Sequence, residues 1–364
     1  MGEKGLIFFI LILPFLSFLF LFSSNFYPWV IKGESVFFDV TLKILSRNIL
    51  YIFGFILGLI IPLSLFKKMR FFISWSLLFL LSLPIILGFS VKNTYRWIPL
   101  GSFALQPSEI FKIGFLLQIS NFLSDMENRT KLIGFIIYLG LSLLLLSLIP
   151  HFSLIIAIIF VTLSLLFLNG IKLKYFLFCS IIFVFIFSSL VFFKKGYIIK
   201  RLESFKNREI SYQVKQARIA ISRGGIKGVG IGKGKIKYKF LPDLSKDFIF
   251  SLIAEEGGFV AITLLIFLYI MIIKSLFDGS LLIEDEFYRN YVLGVALFTF
   301  FNVFVHISVN LGILPVTGVP LPLISYGGSS GITYAFLFAS SYRMIKERNK
   351  LKEEKTKILW SEYL

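Results

Sequence analysis

The stretch LIFFILILPFLSFLFLF, residues 6–22, carries no charged side chain from end to end. Two more stretches repeat the pattern: FFISWSLLFLLSLPIILGFS at 71–90 and IGFIIYLGLSLLLLSLI at 133–149. A helix that crosses a bilayer needs about 20 apolar residues. In hydrocarbon every backbone N–H and C=O must find an internal partner, and a helix supplies one within a single segment. A β-barrel would need short stretches of alternating hydrophobicity, which the chain lacks. The fold class is therefore an all-α polytopic membrane protein.

Working outward from these runs, ten apolar segments emerge, at 5–23, 48–66, 71–90, 107–124, 133–149, 151–169, 173–193, 247–273, 290–309 and 328–344. Pro150 separates two of them and marks a tight re-entry. Of the 364 residues 57% are hydrophobic and 16% charged, against roughly 25% charged in a soluble domain. Leu6–Phe22 is long for a signal-peptide core, and no small-x-small site precedes Asn25, so it is expected to remain as the first span. The lone Cys179 excludes an intrachain disulfide and a cysteine-based metal site. Residues 1–364 read as one transmembrane domain with no separate soluble unit.

Lys and Arg in short loops mark the cytoplasmic side. Lys67, Lys68 and Arg70, then Arg129 and Lys131, then Lys172 and Lys174, then Lys274 and Arg289 fall on one side, with the basic tail 345–364. Both termini are thus expected in the cytoplasm. The large loop between spans 7 and 8, residues 194–246, is then extracytoplasmic, although it holds fifteen Lys or Arg against three acidic residues. Long loops translocate largely regardless of charge. Such a loop attracts anions, or grazes lipid headgroups as a solvated segment. Outside the cell, anions and membrane lipids are its expected partners, and nucleic acid is not.

Four clusters interrupt the apolar background. Arg96-Trp97 precedes Gln106-Pro107-Ser108-Glu109 and Lys112, and Glu109 and Lys112 share a helix face as a structural ion pair or a functional one. Gly224–Gly234 is rich in glycine and lysine and leaves N–H groups free to meet phosphate, but without a preceding strand it is no dinucleotide fingerprint. Asp247 follows Ser245 at the start of a span, with Glu255 and Glu256 deeper. It reads as a helix cap, or as a carboxylate at the membrane edge able to act as a general base or to hold a metal. From Asn310 to Ser330, Pro315, Gly318, Pro320, Pro322, Gly327 and Gly328 break regular helix, so a re-entrant segment shaping a pocket is expected.

Together these clusters resemble the SEDS family (shape, elongation, division and sporulation), the RodA/FtsW-like proteins. Arg96-Trp97 with Gln106–Glu109 and Lys112 looks like the family's RW…QPSE…K. Tyr212-Gln213, Gln216, Ala220-Ile221 and Gly224-Gly225 look like YQ..QS..AI..GG. Leu241-Pro242, Asp247–Phe250 and Glu255–Gly257 look like LPE.HTDFIF…EELG, and Pro315–Ser330 is close to LLPVTG.PLPFISYGGSS. The chain departs from the family at His151, where Asp is usual, at Ser245-Lys246, at Ala217 and at His306.

The resemblance implies a peptidoglycan glycosyltransferase that polymerises lipid II at the outer face of the bacterial cytoplasmic membrane. Asp247 is then the catalytic residue. Arg96, Lys112, Gln106, Glu109, Gln213, Gln216, Arg218, Lys227, Ser325 and Ser329 are candidates for holding lipid II or its pyrophosphate. Glu255, Pro315, Gly318, Pro320, Pro322, Gly327 and Gly328 shape the pocket. A divalent cation, Mg or Mn, at Asp247 and no organic cofactor are expected. The partners are the nascent glycan strand and a class B penicillin-binding protein transpeptidase. Ala254 and Phe240 lean toward elongation over division, and a lipid II flippase is the rival reading from another class.

Overall fold

A computed structural model describes residues 3–24, 34–88, 96–101, 103–149, 151–171, 212–238, 241 and 243–362. In chain order its helices are α1 (Glu3–Ser24), α2 (Glu34–Ile60), the short α3 (Leu63–Lys68), α4 (Arg70–Ile86), α5 (Pro107–Leu123), α6 (Arg129–Leu148) and α7 (Phe152–Leu168). After residue 211 come α8 (Tyr212–Gly224), the one-turn α9 (Leu244–Asp247), α10 (Ile249–Leu281), α11 (Glu286–Asn310) and α12 (Gly328–Glu362). Strands β1 (Ile98–Leu100) and β2 (Phe103–Leu105) form an antiparallel hairpin before α5, with Ile98 opposite Leu105. Every expected span except 173–193 is a helix; that span, Cys179, Pro150 and the loop stretch 194–211 lie outside the described residues. Among the described residues, five helices are long and apolar enough to cross a membrane: those covering Gly5–Ser24, Thr41–Ile60, Arg129–Leu148, Ile249–Leu281 and Glu286–Asn310. The fold is a polytopic helical bundle, as the apolar runs require.

Local chemistry sets the helix ends. Pro62, two residues past Ile60, stops α2 short of the expected residue 66. Asn128 caps α6 by accepting from the Thr130 and Lys131 N–H groups, and Asp285 caps α11 through Phe287 and Tyr288. The last span does not end at 344; α12 continues through the basic tail to Glu362.

Small residues let the helices approach. A Cβ on Gly54 would sit 2.6 Å from the Ile332 carbonyl oxygen, and one on Gly331 would fall inside the Tyr51 ring, so α2 and α12 pack backbone against backbone. Phe259, Val260 and Leu264 on α10 and Ile133, Ile136 and Ile137 on α6 are exposed, as befits faces turned to hydrocarbon. One end of the bundle gathers the loops rich in Lys and Arg. There Lys67 pairs with Asp285, Arg70 bonds Asn121 at 2.6 Å, and Arg343 donates to the carbonyls of Leu59 and Ile61 at 2.7 Å.

At the other end α10 breaks, and the break is filled. Gly258 has φ +68° inside the helix. The carbonyls of Glu255 and Glu256, which would accept from residues 259 and 260 in a regular helix, instead accept from Val229 and Gly230. The freed N–H groups of Phe259 and Val260 donate to Gly225 and Ile226. The glycine-rich loop is thus threaded into the gap, and these eight backbone groups pair across it. A side chain would block this. A Cβ on Gly228, at φ +77°, would lie 2.2 Å from the Glu256 carbonyl oxygen, and one on Gly224 would lie 1.9 Å from that of Ala254. Gly228→Ala is therefore expected to unseat the loop, with left-handed strain alone costing about 1–2 kcal/mol. Faster proteolysis between 225 and 236 reads this out; an unchanged cleavage rate would contradict it.

Candidate active site

Asp247 is not a helix cap. It ends the single turn α9, Phe248 breaks the chain at φ −126°, and α10 starts only at Ile249. The reading of Asp247 as the first residue of the span is corrected accordingly. The turn opens on Asp243, a non-glycine residue at φ +54°. Three bonds from distant segments then clamp its backbone. Tyr326 N–H donates to Ser245 O at 2.7 Å, Ser325 Oγ to Lys246 O at 2.6 Å, and Asn310 Nδ2 to Asp247 O at 3.0 Å. Asn310 is itself fixed, accepting from Ser251 Oγ at 2.6 Å and donating to His306 O at 2.8 Å. The carboxylate is positioned by its backbone and not by a flexible loop.

The segment from Leu314 to Gly327 is irregular, as its prolines require, yet Leu321, Leu323 and Ile324 in it are buried. Hydroxyl and imidazole groups from five helices satisfy its carbonyls. Ser17 donates to Ile324 O at 2.6 Å, Tyr51 to Ser325 O at 3.3 Å, Ser153 to Thr317 O at 3.0 Å and Tyr269 to Pro322 O at 2.6 Å. His306 Nδ1 meets Val319 O at 2.8 Å. Irregular backbone inside a bundle survives only with such partners.

This segment closes one wall of a cavity holding about 260 Å³ of empty space, part of it open to solvent. Glu109 and Lys112 from α5, His151 before α7 and Asn302 from α11 form its polar side. Gly318 lies opposite, at φ +69°, and a Cβ there would sit 3.7 Å from Asp247 Oδ2. The cavity and the carboxylate are therefore neighbours. Lys112 Nζ is 2.9 Å from Glu109 Oε2, with both side chains at least 96% buried, and 5.1 Å from the Tyr334 ring centre. His151 sits in the turn between α6 and α7; burial, with Arg96 and Lys112 nearby, holds its imidazole far below the usual range, at about 3.

The other expected site residues divide into two groups. Arg96 sits at the hairpin and donates to Ile149 O at 3.2 Å, and Gln106 N–H donates to Ser329 Oγ at 2.9 Å, so these three residues frame the same end. Pro320 lines the cavity, Pro322 and Gly327 offer carbonyls to Tyr269 and Tyr51, and Pro315 and Gly328 bound the irregular segment. Gln213, Gln216 and Arg218 lie on α8, which buries Val214, Ala217 and Ala220 against the bundle and leaves Lys215 and Arg218 exposed. The Arg218 Cδ comes within 3.4 Å of where a Cβ on Gly312 would be, two residues past Asn310.

Lys227 and Glu255 fall elsewhere. Several N–H groups of the glycine loop and the residues after it are already taken by the protein: Val229 and Gly230 donate to the backbone carbonyls of Glu255 and Glu256, and Gly234, Lys235 and Ile236 to their carboxylates. Glu255 accepts from the Lys235 and Ile236 N–H groups at 3.0 Å and from Arg223 at 3.1 Å. Glu256 accepts from Ser23 Oγ at 2.7 Å, Gly234 N–H at 3.2 Å and Lys237 Nζ at 3.0 Å. These carboxylates clasp the loop to α1 and α10 instead of shaping the pocket. Lys227 is exposed on that loop, at the level of Glu256, roughly 10 Å of helix rise past the start of α10.

The sequence-based reading missed Asn310 as a clamp and Asn302 as part of the cavity. A signal was present: Asn302, His306 and Asn310 stand four apart, a polar stripe on one face of an apolar span. It also missed Arg47, buried in α2, whose guanidinium lies 5.0 Å from the Tyr51 ring and 5.7 Å from that of Tyr326. Among the described residues no three His, Cys, Asp or Glu side chains gather to hold a metal ion, so the donor set does not fit a closed metal site.

A family model described as "Cell cycle protein", spanning FtsW, RodA and SpoVE, matches residues 4–350. The probable peptidoglycan glycosyltransferase FtsW of Buchnera aphidicola subsp. Schizaphis graminum is 36% identical over 308 residues, covering 81% of this chain and 86% of that protein. A protein of the same name in Coxiella burnetii is 34% identical over 288 residues, 74% of this chain and 76% of that one. In fold, the chain is similar to a solved chain of a peptidoglycan synthase complex that coordinates polymerization and crosslinking, with TM-score 0.77, 23% identity and 95% and 98% of the two chains covered. It is also similar to the rod shape determining protein RodA of Thermus thermophilus, with TM-score 0.68, 24% identity and 95% and 96% covered.

Proposed function

This chain belongs to the cell cycle protein family of FtsW, RodA and SpoVE, and on that premise we propose that it polymerises lipid II at the outer face of the bacterial cytoplasmic membrane. It is a peptidoglycan glycosyltransferase, the activity for which its curated relatives are named. The observation that carries the substrate assignment is Asp247: a carboxylate clamped by three backbone bonds beside a polar cavity, at the end of the bundle away from Lys67 and Arg343. By the positive-inside rule that end faces outward, where lipid II is presented.

Incoming lipid II brings a sugar 4-hydroxyl. Asp247 accepts its proton as the oxygen bonds to C1 of the growing strand, and the bond from C1 to the pyrophosphate breaks with its electron pair. Undecaprenyl pyrophosphate leaves toward the exposed cations Lys215 and Arg218 of α8. No step is assigned to Mg or Mn. The buried charged pairs Glu109–Lys112 and Glu256–Lys237 both lie at the Asp247 end, which favours chemistry there over a transport path through the bundle. A class B penicillin-binding protein that crosslinks the product is the expected partner, in keeping with the complex that shares this fold.

The lean toward elongation is revised. Curated relatives at 29% to 36% identity are named FtsW, whereas the likeness to RodA rests on fold. Division is the role these relatives favour. The test of the activity is direct: purified protein, reconstituted with its transpeptidase partner and given lipid II, is expected to yield a ladder of glycan strands on a gel. A preparation that is folded but makes no polymer would overturn the assignment.

A further inference from the structure

Arg47 is a buried charge without a counter-charge. It lies in the apolar span of α2 and is 3% exposed. Among the described residues two other cations are as deeply buried, Lys112 and Lys237, and each meets a carboxylate, at 2.9 and 3.0 Å. Arg47 meets none. Its Nη2 donates to Ser17 Oγ and Asn48 Oδ1, both at 3.0 Å, and its Nε and Nη1 have no hydrogen-bond partner among the described residues. An isolated charge at that depth is costly, and an apolar side chain of similar length would avoid the cost. Stability therefore does not account for the arginine.

Its contacts point to another purpose. Apart from Asn48, each leads to one short stretch, Ile324–Gly327. Ser17 passes the link on by donating to Ile324 O at 2.6 Å. The guanidinium lies 5.0 Å from the ring of Tyr51, whose hydroxyl reaches Ser325 O at 3.3 Å and Gly327 O at 3.4 Å. It lies 5.7 Å from the ring of Tyr326 itself. A cation this close to an aromatic face is attracted by it, and more strongly where water is excluded. Arg47 and Tyr51 stand one turn apart on α2, so both side chains reach the same stretch.

The same stretch supplies two of the three clamps on the turn that bears Asp247. Tyr326 N–H donates to Ser245 O at 2.7 Å, and Ser325 Oγ donates to Lys246 O at 2.6 Å. One side of Ile324–Gly327 is thus gripped from α1 and α2, and the other grips α9.

We propose that Arg47 is a positioning residue for Asp247, holding Ile324–Gly327 through Ser17, Tyr51 and Tyr326 so that the turn α9 presents its carboxylate in one place. The inference rests on the polymerase reading above and deepens it. Without the guanidinium, the Tyr326 ring and the backbone beside it lose their anchor, and the carboxylate drifts from the sugar hydroxyl. A misplacement of about 1 Å at a reacting group can cost about 10²-fold in rate. Arg47 is sealed from solvent and does not touch the substrate, so its loss falls on kcat and leaves KM for lipid II unchanged.

The test uses the full chain in the reconstituted polymerisation assay with lipid II. Arg47→Met keeps the length and removes the charge; kcat is expected to fall about 10- to 100-fold, with KM unchanged and thermal unfolding no earlier than in wild type. Arg47→Lys returns a cation to the two rings and should fall between Met and wild type. In an Asp247→Glu background, where the carboxylate is already displaced, Arg47→Met should cost much less than in wild type. If Arg47→Met does not fold, Tyr326→Leu tests the same link, since it keeps the N–H bond to Ser245 and removes the ring; the same loss of kcat at constant KM is expected. Wild-type kcat in the variant that folds overturns the positioning role and leaves the polymerase reading intact. So does an equal fold loss in both backgrounds, a Lys variant no better than Met, or a rise in KM at constant kcat. A folded wild type that makes no polymer overturns both readings.

Discussion

Asp247→Asn is expected to reduce polymerisation of lipid II by about 10²- to 10⁴-fold, the usual contribution of a positioned general base. The substitution keeps the size and the planar shape of the side chain. It leaves the three clamps on the turn in place, because Tyr326, Ser325 and Asn310 bond backbone carbonyls and not the carboxylate. What it removes is the ability to accept a proton. The loss should therefore fall on kcat, with thermal unfolding unchanged. Asp247→Glu should retain less activity than wild type, since the clamped backbone cannot retreat to compensate for an added methylene. Single-turnover assays with labelled lipid II, read beside a melting curve for each variant, separate these outcomes. An Asp247→Asn protein as active as wild type would remove Asp247 from the chemistry.

The second large effect is on stability. Lys112→Met should destabilise the bundle by about 3–5 kcal/mol, because it leaves the Glu109 carboxylate buried without its partner. Both side chains are almost fully buried, so solvent does little to screen the loss. Removing the pair together, as Glu109→Gln with Lys112→Met, should cost far less, since no charge is then stranded. Chemical unfolding in detergent, run as a double-mutant cycle, measures the difference. Additive losses would mean that the pair is not coupled. The same pair bears on function. A lysine neutralised at 2.9 Å is a poor clamp for a pyrophosphate. In the proposed reaction the exposed Lys215 and Arg218 on α8 are the cations assigned to that role.

The helical class and the membrane setting were legible in the apolar runs because the physics is local. A charge-free stretch in hydrocarbon must satisfy its own backbone, and only helix does so within one segment. Asp247 and the proline-rich segment were legible for a related reason: a carboxylate at a span's edge, or three prolines in an apolar context, conflicts with a simple span and needs a purpose. The glycine loop shows where such reasoning stops. Its glycines and lysines suit an anion equally well whether the anion is a ligand or a side chain of the same protein. Composition does not reveal that Glu255 and Glu256 accept from Val229, Gly230, Gly234, Lys235 and Ile236, nor that a break at Gly258 needs the loop.

By itself, then, the amino-acid sequence determined the bundle, the polar end and the carboxylate at its centre. Only the tertiary structure decided how that carboxylate is held and what lies next to it. The deciding contacts join residues far apart in the chain, Ser17 with Ile324, Lys246 with Ser325 and Asp247 with Asn310, and each meets a backbone carbonyl. A backbone carbonyl is chemically the same at every position, so its partner is set by proximity alone, and proximity is a property of the folded chain.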